Sequence, residues 1–71
     1  MTVIEGTVEA FDERRGDGSL RGDDGGRYYF HCVVIADGSR SIPVGVRAIG
    51  RRSVGRLGHD EVTHVKAQPI G

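Results

Sequence analysis

Three side chains have the types and spacing to hold a flat ligand: Phe11, Tyr29 and His31. Tyr29 and His31 lie two residues apart, so on an extended strand they share one face. Rings in that arrangement accept planar molecules by stacking, and an imidazole adds a hydrogen bond. The same three residues could equally form a cross-strand aromatic cluster that covers a sheet. Arg15 lies close in sequence, and Arg47, Arg51, Arg52 and Arg56 follow in the second half. Such arginines can track a phosphate backbone or form a solvated, charge-balanced surface.

The other chemistry-bearing groups give less. His59, Asp60, Glu61 and His64 are metal-ligating types. The two histidines are five apart, however, which puts them on opposite faces of a strand, and the helical His-Glu-x-x-His pattern is absent. No metal site is expected. Cys32 follows His31, so on a strand the two point apart, and a Cys–His nucleophile is not expected. Cys32 reads instead as a small core residue. Gly16, Gly18 and Gly22 lack the Lys-Ser/Thr of a phosphate loop. Arg15-Gly16-Asp17 and Arg21-Gly22-Asp23 repeat an adhesion tripeptide, which is taken as chance. With no catalytic constellation, the expectation is a non-enzymatic protein without a cofactor.

These residues need a scaffold. No apolar period of about 3.6 residues runs long enough for a helix. Short β-branched and aromatic runs broken by glycines predict an all-β domain. Strands are expected near Thr2–Asp12, Ser19–Arg21, Arg27–Cys32, Val46–Arg52 and Glu61–Ala67. Asp23-Asp24-Gly25-Gly26 is a hairpin turn, Val33–Ile35 a short helical turn, and Asp37–Arg40 and Val54–Asp60 are loops. Five short strands suit an antiparallel Greek-key barrel of the OB type, since a flat sheet would leave open edges. Residues 1–67 form the barrel and 68–71 a frayed tail. The register that buries Val8, Leu20, Tyr28 and Phe30 turns Ala10 inward with Val8. It sets Glu9, Phe11, Asp17, Ser19, Tyr29 and His31 on an outer face. Ile35, Ile42, Val62 and Val65 complete the expected core.

The chain has 71 residues, enough for one small domain. Ten basic and ten acidic residues balance, and nine of the bases are arginine. Residues 1–26 carry seven acids against three bases, and residues 27–71 the reverse. A neutral total gives no general pull toward polyanions, so binding one needs a local patch. A single cysteine excludes an intrachain disulfide. With no basic-then-apolar leader, the expected location is the cytoplasm. No stretch approaches the roughly 20 apolar residues of a membrane helix.

Gly6-Thr7-Val8, Gly16-x-Gly18, Asp23-Asp24-Gly25 and Tyr28-Tyr29-Phe30-His31 occur in an order that resembles the cold-shock domain family, as do Ile35, Gly38, Ile42, Gly45 and Ala48. The resemblance covers roughly Val3 to Val65. It implies an OB barrel that binds single-stranded RNA or DNA on its outer face. Where the family usually has lysine, tryptophan, two phenylalanines and an aromatic or serine-type residue, this chain has Glu9, Ala10, Asp17, Ser19 and Cys32. Each base stacked on a ring gains about 1–3 kcal/mol, so three lost rings remove on the order of 3–9 kcal/mol if independent.

Weak single-strand binding through Phe11, Tyr29 and His31, helped by Arg15, Arg51 and Arg52, is therefore the leading expectation. The alternative is a barrel that has lost nucleic-acid binding and contacts a protein partner through the same face. A monomer is expected, although so small a barrel could exchange strands with a second copy.

Overall fold

The computed structural model of the chain describes residues 2–36, 38–55 and 58–68. Five strands run in the order β1 (Val3–Asp12), β2 (Asp17–Gly22), β3 (Arg27–His31), β4 (Arg47–Val54) and β5 (Asp60–Ala67). A one-turn 3-10 helix, Cys32–Val34, follows β3. The strands close into a barrel in the order β1-β2-β3-β5-β4, an all-β barrel of the OB type. Four pairings are antiparallel, but β3 and β5 meet in parallel at Tyr29 and Glu61. The sheet is therefore mixed, where a purely antiparallel one was expected. β2 is longer than its apolar residues suggest because glycines at its ends still pair: Gly18 with Phe11, and Gly22 with Gly6.

The alternation expected for a half-buried sheet holds in β3, where Tyr28 and Phe30 are buried between exposed neighbours. Ile4, Val8, Leu20, Ile35, Ile42, Ala48, Val62 and Val65 join them in one core. Leu20 is 0% exposed and sits on β2, between Val8 of β1 and Tyr28 of β3. The described residues between Ile35 and Val46 form no strand or helix yet are pinned to the barrel. Ala36 donates to the Val65 carbonyl at 2.7 Å, Gly45 to Val8 at 2.8 Å, and Val8 to Val46 at 2.9 Å.

Two irregularities set which side chains face outward. In β1 the register steps from Val8–Leu20 to Ala10–Ser19, which leaves Glu9 as an extra residue. Between Ile49 and Arg51 the partner on β5 moves from Lys66 to Thr63. His64 falls in that step with φ +52°, a left-handed conformation uncommon outside glycine. The extra residue lets Val62 and Val65 both point inward although they are three apart, an odd spacing that strict alternation would split.

The turns follow from their residues. Asp12 Oδ1 accepts the N–H groups of Arg14 at 2.9 Å and Arg15 at 3.1 Å. Gly16 then takes φ +72° and donates to the Asp12 carbonyl at 2.7 Å. In the second hairpin Asp24 Oδ1 accepts Gly26 N–H at 2.8 Å, and Oδ2 accepts the Tyr28 hydroxyl at 2.5 Å. Gln68 still belongs to the barrel, since its N–H donates to the Arg47 carbonyl at 2.9 Å and its side chain to Glu5 at 3.0 Å. Asp37, Arg56 and the tail residues 69–71 lie outside the described residues.

Candidate functional site

Cross-strand partners share a face, so the register of β1, β2 and β3 fixes the outer surface. Three outward rows result: Thr7–Arg21–Arg27, Ala10–Ser19–Tyr29 and Asp12–Asp17–His31. The inward rows are Val8–Leu20–Tyr28 and Phe11–Gly18–Phe30.

This corrects the expected place of Phe11. The extra residue at Glu9 reverses the alternation beyond it, so Ala10 turns outward and Phe11 turns toward the core. Phe11 stacks on Phe30 with ring centroids 6.0 Å apart and planes 23° apart. Gly18 is required between them, since a Cβ there would lie 2.9 Å from Phe11 Cδ1 and against the Ala10 carbonyl. Ser19 does lie on the outer face, but it is only 6% exposed, with its hydroxyl donating to Glu9 Oε2 at 3.4 Å. It is a covered floor position, where an open former stacking site was expected.

Tyr29 and His31 take the outward positions expected of them. Tyr29 is 48% exposed, and His59, just before β5, meets its ring edge-on at 6.3 Å and 85°. His31 Nδ1 accepts the N–H of Val33 at 3.3 Å, capping the 3-10 turn. A backbone N–H only donates, so Nδ1 is the acceptor and Nε2 carries the ring proton, with no acceptor for it among the described residues. Cys32 lies in that turn and not on β3, so it does not point away from His31. It is half-buried, with Sγ 3.8 Å from His31 Nδ1.

A groove of about 470 Å³ runs along this surface. Phe11, Ser19, Tyr29, Phe30, His31 and Glu61 line it, together with the charged Asp12, Arg15 and Asp17. The carboxylates expected to repel phosphate are largely engaged. Glu9 is held by Arg27 at 2.9 Å and by Arg21 at 3.4 Å. Hydrogen bonds from Arg27, then its charge and the contribution of Arg21, keep the Glu9 carboxyl below its ordinary value against a smaller desolvation cost. Asp17 Oδ1 accepts from Arg15 Nε at 3.2 Å and from its terminal nitrogen at 2.9 Å. Both adhesion-like tripeptides are likewise engaged, because Asp23 receives two bonds from Arg47, at 2.7 and 2.6 Å.

Arg47 extends the outward row of Thr7, with a terminal nitrogen 3.4 Å from the Thr7 hydroxyl, but Arg51 and Arg52 of β4 are not part of this face. β4 is separated from β3 by β5 and from β2 by β1. Arg51 pairs with Val3 and Thr63 on that far wall. Arg52 turns to the barrel end and ion-pairs with Asp60 at 3.1 Å. The expected grouping of Arg51 and Arg52 with Tyr29 and His31 does not occur. Among the described residues, no group of three or more His, Cys, Asp or Glu side chains could hold a metal ion.

Sequence reasoning missed His59 and Glu61 as parts of the site. The signal was the closing of β3 on β5, which brings residues some thirty positions apart side by side. No protein-family model matches the chain, and no curated protein matches it in sequence.

Proposed function

We propose that this barrel is a non-catalytic module that binds single-stranded RNA or DNA through the β1–β2–β3 face. The observation that carries the reading is Tyr29: a half-exposed ring on the groove of the outer face, met edge-on by His59, with His31 Nε2–H two residues on and unpaired among the described residues. Bases stack on such rings whatever their sequence. Glu9 and Asp17 weaken this less than their charges suggest, since arginines of the same face already neutralise them. The cost is that those arginines are committed to carboxylates and are poor partners for phosphate. Binding is therefore driven by stacking and depends weakly on salt.

Fluorescence anisotropy with labelled RNA and DNA oligomers across a salt series tests this. Tyr29→Ala should weaken binding by roughly 5-fold to 150-fold, the equivalent of one stacked base. The slope of log K against log salt should be shallow, about that of one or two phosphate contacts at 0.7 each. Absence of binding near about 100 µM at low salt, where even non-specific binders associate, would overturn the proposal. The protein-partner reading would then be tested by pull-down with and without Tyr29→Ala.

A further inference from the structure

We infer that the groove reads guanine, with Tyr29 as the stacking platform and the carboxylate of Glu61 as the acceptor for the base edge. This rests on the single-strand reading and adds a base preference to it.

Tyr29 and Glu61 are direct partners across the parallel β3–β5 pairing, so they stand side by side on neighbouring strands, about 4.8 Å apart. Both line the same groove. On the other flank of Tyr29 the outward positions are Ser19 and then Ala10, both small. A base lying flat on Tyr29 therefore has the covered Ser19 and the exposed Ala10 on the β2 side and Glu61 on the β5 side. Of the groove's three carboxylates, Asp12 accepts two backbone N–H groups and Asp17 is paired with Arg15. Glu61 alone has no hydrogen bond or ion pair to another described residue. Its side chain rests over Gly55, where any Cβ would collide with the carboxylate. It is half-buried, so an unmatched ligand group placed against it is costly.

The chemistry of a lone carboxylate selects among bases. It offers two acceptor oxygens and no donor. Guanine presents two adjacent donors on its Watson–Crick edge, N1–H and the N2 amino group, which match the two oxygens. Adenine and cytosine each place a ring acceptor beside the amino group, and that lone pair faces the second oxygen. Uracil and thymine have one N–H between two carbonyl oxygens, which both oppose the carboxylate. A face whose arginines are committed to carboxylates, and so poor at general phosphate binding, is thus suited to reading one base.

The test uses the full chain and labelled U-rich RNA heptamers with one central position set to G, A, C, U or inosine. Wild type should bind the G heptamer roughly 5-fold to 150-fold more tightly than the A, C and U heptamers, the discrimination of one good bidentate pair. Inosine, which lacks the N2 amino group, should fall between. Glu61→Gln should remove the preference for G, weakening the G heptamer and strengthening the all-U heptamer, whose carbonyls then no longer face a carboxylate. Tyr29→Ala should weaken all five together. Equal binding of the five by wild type, with Tyr29 still required, overturns the guanine reading and leaves the single-strand reading standing. No binding to any heptamer overturns both. Because the base series is measured on the wild type, the comparison among bases holds even if a variant folds poorly.

Discussion

Phe11→Ala should act mainly on stability and Tyr29→Ala mainly on binding, because the register step at Glu9 packs Phe11 against the core while Tyr29 stays half-exposed. Complete truncation of a core phenylalanine costs about 3–5 kcal/mol. Phe11 is only partly buried, but it packs on the core and stacks on Phe30 at 6.0 Å, inside the range where such pairs add stability. A cost of about 2 kcal/mol follows once its burial is discounted. A chain of 71 residues has on the order of 4–11 kcal/mol in total, so the loss is a large share. For a domain of this size it lowers the melting temperature by about 8–16 °C. Tyr29 is 48% exposed, so its truncation should cost about 0.5 kcal/mol or less in stability and act mainly on binding. Urea titrations followed by circular dichroism, with the oligomer anisotropy series on the same preparations, measure both effects. A cost below about 0.5 kcal/mol for Phe11→Ala, the usual range for surface substitutions, together with an equal or larger one for Tyr29→Ala, would refute the register beyond the bulge.

Leu20→Ala, at a side chain that is 0% exposed, should cost about 2–5 kcal/mol in urea unfolding and leave little folded protein at 37 °C. Ala10→Trp places a ring on the exposed outward row beside Ser19 and Tyr29 and should strengthen single-strand binding by roughly 5-fold to 150-fold in the anisotropy assay. The Tyr28 hydroxyl, then Gly26 N–H, hold the Asp24 carboxyl below its ordinary value of 3.8. Its contribution to stability is therefore complete above that value and is lost as pH falls through the lower folded value. Wild type and Tyr28→Phe should differ at neutral pH and converge in acid when unfolding is followed across pH.

The barrel and its core were legible in the sequence because period-two alternation and glycine turns are local signals. Val8, Leu20, Tyr28 and Phe30 lie where that pattern sends them; Ile35, Ile42, Val62 and Val65 are buried as expected, the last two only because an irregularity in β5 offsets their odd spacing. Phe11 and Ala10 did not, because a bulge shifts alternation by one residue and Glu9 carries no mark of being the extra one. The fate of Glu9 and Asp17 was illegible for another reason. Their charges are visible in the chain, but Arg27 and Arg21 reach Glu9 only through a specific strand register. The arginine stripe dissolved for the same cause: Arg47 and Arg52 found acids of their own, and β4 runs on the far wall. Of the site, Tyr29 and His31 could be read from spacing. His59 and Glu61 required knowing which strand closes the barrel.

The two seams of this barrel are unequal. β1 and β4 are laced together from Val3–Arg51 to Thr7–Arg47, whereas β3 and β5 touch at Tyr29–Glu61, with one further bridge at Ile35–Val65. The molecule is bound like a book, with its spine on one side and its free edge on the other. Thermal breathing should run through the free edge first, and amide protons near Tyr29 and Glu61 should exchange sooner than those of β1. A molecule seated across Tyr29 and Glu61 spans that edge, so it acts as a clasp: occupancy slows opening where the barrel is weakest.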